Sequence, residues 1–145
     1  MKISLLIKLC FISLLLTNCV TSKVTYTPIV LTETINVPGT KDENYIKANL
    51  WLVDVFISAK SVIQFSDKDA GVIKGKYVLS YNALNVYAGE ITKQATFTLY
   101  VSDNQLTLIV ECNELIWDYY SATKVKLNLE KLINNFKKNF ENYNF

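Results

Sequence analysis

Apolar positions recur at helical spacing over residues 40–60, and this pattern predicts an amphipathic helix. Thr40 and Glu43 have the spacing of a capping box, and Asp42 places negative charge at the positive end of the helix dipole. One apolar face is expected to lie on a sheet. That face comprises Tyr45, Ala48, Trp51, Leu52, Val55, Phe56 and Ala59.

The same helix carries a second apolar stripe, which a single core does not require. Its members are Ile46, Leu50, Val53 and Ile57. Such a stripe is covered either by another helix or a terminus of the same molecule, or by a partner protein. The four residues are therefore candidate partner-binding residues.

Alternation of apolar and polar residues predicts five strands around this helix. They span residues 29–37, 62–66, 72–81, 90–101 and 106–117. Asp103 and Asn104 join the last two as a tight hairpin, because both tolerate positive φ. A second helix over residues 126–143 has one narrow apolar stripe. The prediction is an α+β domain of order β-α-β-β-β-β-α, with an antiparallel sheet that is covered on one face.

Two strings in these elements are similar to those of a known family. INVPGTKDENYIKANLWLVDVF and KSVIQFSDKDAGVIKGKY resemble uncharacterised bacterial envelope proteins described as a domain of unknown function with a TATA-binding-protein-like (TBP-like) fold. The resemblance covers about residues 29–140, by pattern only in the C-terminal half. It implies a curved five-stranded sheet of order 1-5-4-3-2 with both helices on the convex face. It supplies no catalytic residues.

Residues 1–18 have the pattern of an export signal, with Lys2 ahead of an apolar run too short to span a bilayer stably. The ending LTNC resembles the lipobox of bacterial lipoproteins, in which Cys19 would be acylated after cleavage. Ordinary signal cleavage after Ser22 is the alternative. An acyl chain on Cys19 would anchor the protein to a membrane.

The expected organisation is therefore a signal peptide over residues 1–18, a tether over residues 19–28 and a domain over residues 29–145. The expected location is the cell envelope, either periplasmic or facing the surface. The partners expected are the membrane, through the lipid, and another envelope protein or a surface ligand.

The amino-acid composition limits the kinds of catalysis and nucleic-acid recognition that the chain can support. The chain has no histidine and no arginine, so it lacks the usual general base near neutral pH and the side chain that reads guanine edges. Two of the 15 basic residues, Lys2 and Lys8, fall in the export signal, which leaves thirteen lysines against 13 acidic residues. A neutral domain lacks the charge that nucleic-acid binding requires.

Three motifs suggest chemistry but have simpler explanations. Asp67-x-Asp69-x-Gly71 looks like a calcium loop, yet a strand follows where further ligands would be needed, so a hairpin turn is expected. Cys112 falls in the inward register of its strand, as a buried cysteine does. Glu111 and Glu114 would point to opposite faces of a strand. No cofactor or metal is expected.

Two further surfaces remain open to interpretation. The outward face of the sheet is polar and Thr-rich, and it is either merely soluble or holds a peptide or glycan. Apolar and aromatic residues gather where the loops over residues 82–89 and 118–123 leave the sheet, namely Tyr81, Leu84, Val86 and four candidate partner-binding residues. They either plug the core or form a binding patch. These four candidate partner-binding residues are Tyr87, Trp117, Tyr119 and Tyr120.

Together these features predict a non-catalytic, lipid-anchored binding or accessory module of the cell envelope. One alternative is an envelope hydrolase that uses carboxylates. A second is a nucleic-acid binder, which rests on fold analogy alone.

Overall fold

The computed structural model describes residues 28–56, 58–84, 89–116 and 118–141. Within these ranges the chain forms five strands and three helices. They are β1 (Ile29–Asn36), α1 (Lys41–Val55), α2 (Ala59–Val62), β2 (Ile63–Asp67), β3 (Val72–Asn82), β4 (Glu90–Ser102), β5 (Gln105–Cys112) and α3 (Tyr119–Glu141). The predicted export signal with Cys19, and Ile57, Tyr87 and Trp117, lie outside the described residues.

The strands form one curved antiparallel sheet in the order β1-β5-β4-β3-β2. This order and the α+β class are as predicted. Helices α1 and α3 both pack on the convex face, and they meet where the rings of Trp51 and Phe136 lie 5.2 Å apart. The inward residues of β3, β4 and β5 complete the core between sheet and helices. No helix in the described part of the chain is both long and apolar enough to cross a membrane.

Helix α1 begins with the predicted capping box. The Thr40 hydroxyl accepts from the Glu43 N–H at 3.3 Å, and the Glu43 carboxylate accepts from the Thr40 N–H at 2.8 Å. The helix ends at Val55 rather than at residue 60, because Phe56 takes an extended conformation and stacks on Phe97 with ring centroids 5.5 Å apart. The prediction was wrong here because tertiary packing of an aromatic ring decides where the helix stops.

Helix α3 begins at Tyr119, seven residues before the predicted start. The Asp118 carboxylate accepts from the Ser121 N–H at 2.8 Å and so caps the first turn. The predicted loop over residues 118–123 is therefore mostly helical. Strand β5 ends at Cys112 and not at residue 117. The end of the sheet with the predicted aromatic residues, here called the aromatic end, therefore has the start of α3 where a loop over residues 118–123 was predicted.

A network of polar groups around one buried asparagine, here called the polar corner, ties β1, α1 and the β4–β5 hairpin together. Its centre is Asn44, which is fully buried and donates its amide to the carbonyls of Val37, Ser102 and Gly39 at 3.0, 3.2 and 3.3 Å. The Asp103 carboxylate accepts from the backbone N–H of Lys41 at 2.7 Å. The VPGTKDEN string therefore has a structural role.

The second family string forms the β2–β3 turn and meets the first one. The Lys41 ammonium donates to the Asp69 carbonyl at 2.7 Å, and Lys68 pairs with Asp42 at 3.0 Å. Gly71 has a φ of 66°, and a Cβ there would lie 2.2 Å from the Val101 carbonyl oxygen. The Asp67 carboxylate accepts from the Ala70 N–H at 2.9 Å. These contacts form the hairpin turn that the sequence favoured.

Candidate interaction surface

Three aliphatic side chains on α1 form the most prominent exposed row among the predicted site residues. Ile46, Leu50 and Val53 are 58, 60 and 59% exposed. They stand at i, i+4 and i+7 and therefore share one side of the helix, here called the outer row. The fourth predicted member, Ile57, lies outside the described residues.

Helix α3 packs on the opposite side of α1 and leaves the outer row uncovered. The contact is made by Trp51, whose indole N–H donates to the Asn135 side-chain oxygen at 2.8 Å. Neighbouring polar side chains turn back to the backbone, since Asn49 donates to the Tyr45 carbonyl and Lys47 to the Pro38 carbonyl, both at 2.8 Å. Within the described part of the chain, the outer row is thus a surface and not an internal contact.

Acidic side chains border the outer row. At 100° per residue, Glu43 and Asp54 fall on one side of it and Asp42 on the other, and all three are exposed. Glu43 keeps a lowered pKa because the Thr40 backbone and hydroxyl donate hydrogen bonds to it. The surface is therefore an apolar row with the carboxylates of Glu43 and Asp54 on one side and the Asp42–Lys68 ion pair on the other.

At the aromatic end, Tyr119 and Tyr120 lie in two different environments. Tyr119 is 88% exposed and borders a groove of about 360 Å³ between the first residue of β1, Ile29, and the first turns of α3. Tyr120 is partly buried against the core and donates its hydroxyl to the Asn82 carbonyl at 3.0 Å. The structure thus brings Tyr120, but not Tyr119, to the end of β3.

The concave face of the sheet is less polar than the sequence suggested. Phe65 and Val78 are 52 and 64% exposed there, and Tyr100 is also exposed. Phe65 shares a row with Lys74 and Thr98, because the register between β2 and β3 shifts between Ile63 and Phe65. A β-bulge of this kind changes which face a side chain takes, and simple alternation cannot reveal it.

Glu111 and Glu114, the two carboxylates that a hydrolase could use, take part in local hydrogen bonds. Glu111 accepts from the Thr96 hydroxyl at 2.8 Å, and Glu114 accepts from the Gln94 N–H at 2.6 Å. Glu114 also pairs with Lys93 at 3.4 Å. These contacts hold β4 to β5 and to the segment that follows it.

The two remaining candidates for chemistry are a thiol and a metal site. Cys112 is fully buried, and burial raises the pKa of its thiol, which disfavours the reactive thiolate. In residues 28–56, 58–84, 89–116 and 118–141, no three histidine, cysteine or acidic side chains come together as metal ligands would. Of the predicted partner-binding residues that the structure describes, Ile46, Leu50, Val53 and Tyr119 are exposed, and Tyr120 packs against the core.

Comparison with known proteins gives a family and a fold. The family model "Domain of unknown function (DUF4468) with TBP-like fold" matches residues 31–113. The crystal structure of a DUF4468 family protein from Bacteroides ovatus ATCC 8483 superimposes with a TM-score of 0.57 and 12% sequence identity, covering 84% of this chain and 91% of that one.

A second solved structure is more distant. A TBP-like protein from Parabacteroides distasonis ATCC 8503 gives a TM-score of 0.47 and 14% identity over 61% of this chain and 57% of that one. No functionally curated protein matches the chain. The comparisons therefore concern fold, and a function has to be argued from the surfaces above.

Proposed function

We propose that this chain, which belongs to the DUF4468 family of domains with a TBP-like fold, is a non-catalytic binding module of the cell envelope. A lipid on Cys19 holds it at a membrane, and the domain binds another envelope protein. The observation that carries this proposal is the outer row of α1, whose three aliphatic side chains are all more than half exposed.

The chemistry of the outer row favours a helix as its partner. The 4-3 spacing of Ile46, Leu50 and Val53 is that of the apolar seam by which one helix packs along another. The flanking Glu43 and Asp54 add negative charge, whereas Asp42 already pairs with Lys68. The partner is therefore an amphipathic helix with lysine or arginine beside its apolar seam, since opposite charges along an interface favour the correct pairing.

The N-terminal sequence supports attachment to a membrane. The LTNC string ends at Cys19, and the domain begins with β1 at Ile29. The ten residues from 19 to 28 would span about 35 Å when extended. A tether of this length lets the domain reach past the lipid headgroups to a partner held in the same membrane.

The docking test uses a photo-reactive amino acid at Leu50 in cells that express the full chain. The control places the same residue at Asn134, an exposed position on α3. We expect a discrete adduct with one envelope protein from position 50 and none from position 134. The adduct should be lost or much weaker with Asp54→Lys, because reversed charge beside the outer row repels a basic helix.

Equal adducts from both positions, or none from position 50, would contradict docking at the outer row. The anchor is tested separately by cell fractionation. Cys19→Ala should move the protein from the membrane fraction to the soluble fraction, and unchanged partitioning would rule out the lipid anchor.

A further inference from the structure

Strand β2 covers only part of its neighbour β3. The two strands pair from Asp67 opposite Val72 to Ile63 opposite Gly75. Strand β3 continues to Asn82 and stays paired with β4 along its whole length. The described part of the chain places no strand opposite residues 76–82. Beyond Gly75, this side of β3 therefore has no strand partner within the described residues and is here called the open edge; the short helix α2, which leads into β2, also contacts β3.

The direction of the backbone groups along β3 follows from hydrogen bonds just beyond its two ends. The Gly71 carbonyl accepts from the Val101 N–H at 2.7 Å, and the Ala83 N–H donates to the Gly89 carbonyl at 2.9 Å. The register between β3 and β4 is uninterrupted between these points. In an antiparallel ladder, bonded and non-bonded residues alternate, so odd-numbered residues of β3 bond to β4. The backbone groups of even-numbered residues point to the other side.

Four of the six even-numbered residues of β3 meet another part of the protein on that side. Val72 and Lys74 lie opposite Asp67 and Phe65 of β2. Near the far end, two side chains of α3 bond to the carbonyls of Asn82 and Ser80. The donors are the hydroxyl of Tyr120 at 3.0 Å and the amide of Asn128 at 3.5 Å. Lys76 and Val78 remain, with their N–H and C=O groups directed at the open edge.

The surroundings of Lys76 and Val78 leave room for another chain. A cleft of about 320 Å³ extends over them from Gln64 of β2 to Gln94 of β4, which lies opposite Val78. Val78 is 64% exposed, and Lys76 is also exposed on the concave face. Within the described residues, the edge thus combines backbone groups that no strand pairs, an apolar side chain and a positive charge.

We propose that an extended peptide segment of another protein adds to β3 at Lys76 and Val78 as a short antiparallel strand, end to end with β2. Backbone hydrogen bonds to these two residues would hold it, which is the β-augmentation mode of peptide recognition. This site is separate from the outer row of α1 and does not depend on it.

The cross-strand neighbours define the sequence that fits. Residues opposite each other in an antiparallel pair share a face and are in contact. The peptide residue opposite Val78 is therefore apolar and β-branched, and the residue two positions later, opposite Lys76, is acidic. The motif is apolar-x-acidic, with its C-terminal end toward Ile63.

A second copy of this chain fits the edge poorly. Symmetric pairing of two β3 strands about Val78 would require Ser80 to face Lys76 of the partner copy along a shared ladder. The Ser80 and Asn82 carbonyls already accept from α3 side chains, and β2 occupies the edge below Lys76. Only a strand of about four residues fits between them, and a short peptide strand meets that limit.

The test uses the probe peptide acetyl-TVTES-amide and the full chain labelled with ¹⁵N. Binding should shift the amide signals of Lys76 and Val78 and slow their hydrogen exchange. Val78→Pro removes the edge-facing N–H, and proline is tolerated at a sheet edge, so the dissociation constant should rise at least about tenfold. Val78→Thr keeps the N–H and the β-branched shape, and it should bind as the parent does.

Two further comparisons keep the test decisive even if Val78→Pro unfolds the protein. The probe N-methylated at its valine, which loses a donor facing Val78, should bind at least about tenfold more weakly to the unchanged protein. Lys76→Glu should weaken the binding of the acidic probe, and it should allow binding of acetyl-TVTKS-amide, in which lysine replaces the glutamate.

Equal binding by the methylated probe, or signal shifts confined to Phe65 and Tyr100, would overturn the proposal. Self-association that Val78→Pro abolishes would also overturn it, because the edge would then belong to a second copy of the chain.

Discussion

The two ends of β3 are built differently. At Val72 the strand has neighbours on both sides, and the polar corner beside it bonds a buried amide to three carbonyls. At Asn82 the strand pairs only with β4, and two side chains of α3 reach its free side. One strand thus has a paired strand on each side at its first end and on one side only at its last end, here called the open end. The candidate binding groups are the backbone groups of Lys76 and Val78, which lie where the pairing with β2 stops.

The largest effect should come from the polar corner. Asn44→Ala removes a fully buried amide whose bond to Val37 is buried and whose bonds to Gly39 and Ser102 are partly buried, so the free energy of unfolding should fall by about 3 kcal/mol. The matched change at the open end is Asn128→Ala, which removes one exposed donor to the Ser80 carbonyl. It should cost less than about 1 kcal/mol. Urea unfolding of both variants measures the difference, and equal losses would remove the distinction between the two ends.

Acid should weaken both ends through their helix caps. Hydrogen bonds from Ser121 lower the pKa of Asp118, and those from Thr40 lower the pKa of Glu43. A carboxyl whose pKa is lower in the folded state stabilises fully above its unfolded pKa and loses this effect as the pH falls through its folded pKa. Stability should therefore decline below about pH 4.5.

The acid effect can be separated from the caps themselves. Asp118→Asn and Glu43→Gln keep the hydrogen-bonding shape but cannot titrate. The midpoint temperature of thermal unfolding should fall less between about pH 6 and pH 3 for the double variant than for the parent. Parallel pH profiles would show that these carboxylates do not carry the acid sensitivity.

The smallest effect is expected from Tyr120→Phe. The change deletes the hydroxyl that bonds to the Asn82 carbonyl but keeps the ring against the core. An exposed carbonyl can bond to water instead, so the loss should be about 0.5 kcal/mol. A loss above about 2 kcal/mol in urea unfolding would mean that the open end is held as firmly as the polar corner.

Periodicity predicted the parts of the fold that depend on local pattern. The alternation of Ala95, Phe97, Leu99 and Val101 placed β4 correctly with its inward face, and the capping box at Thr40 placed the start of α1. The strand order 1-5-4-3-2 came from the family resemblance, because alternation does not specify which strands are neighbours.

Features decided by distant contacts were missed. The end of α1 depends on Phe56 stacking on Phe97, and the exposure of Phe65 depends on a bulge opposite Gly75. Asn44 gave no signal, since an asparagine beside an apolar face shows its role only when the carbonyls around it are known. The open edge was also hidden, because Val78 to Asn82 alternate as a paired strand would.

For the outer row, the sequence predicted the surface but not what binds to it. The spacing of Ile46, Leu50 and Val53 identified the stripe, and the exposed fractions show that α3 does not cover it. The occupant that we propose for this row would lie on another molecule. Its identity therefore has to come from cross-linking and not from the chain itself.

Residue-resolved amide hydrogen exchange along β3 in the free protein tests the contrast between the two ends most directly. The N–H groups of Val72 and Lys74 should be protected by β2, and those of Tyr77 and Leu79 by β4. Those of Lys76 and Val78 should exchange at least about a hundredfold faster, since they can exchange without any opening of the sheet. Protection of Lys76 and Val78 equal to that of Lys74 would contradict an open edge, because another part of the chain would then be bonded to it.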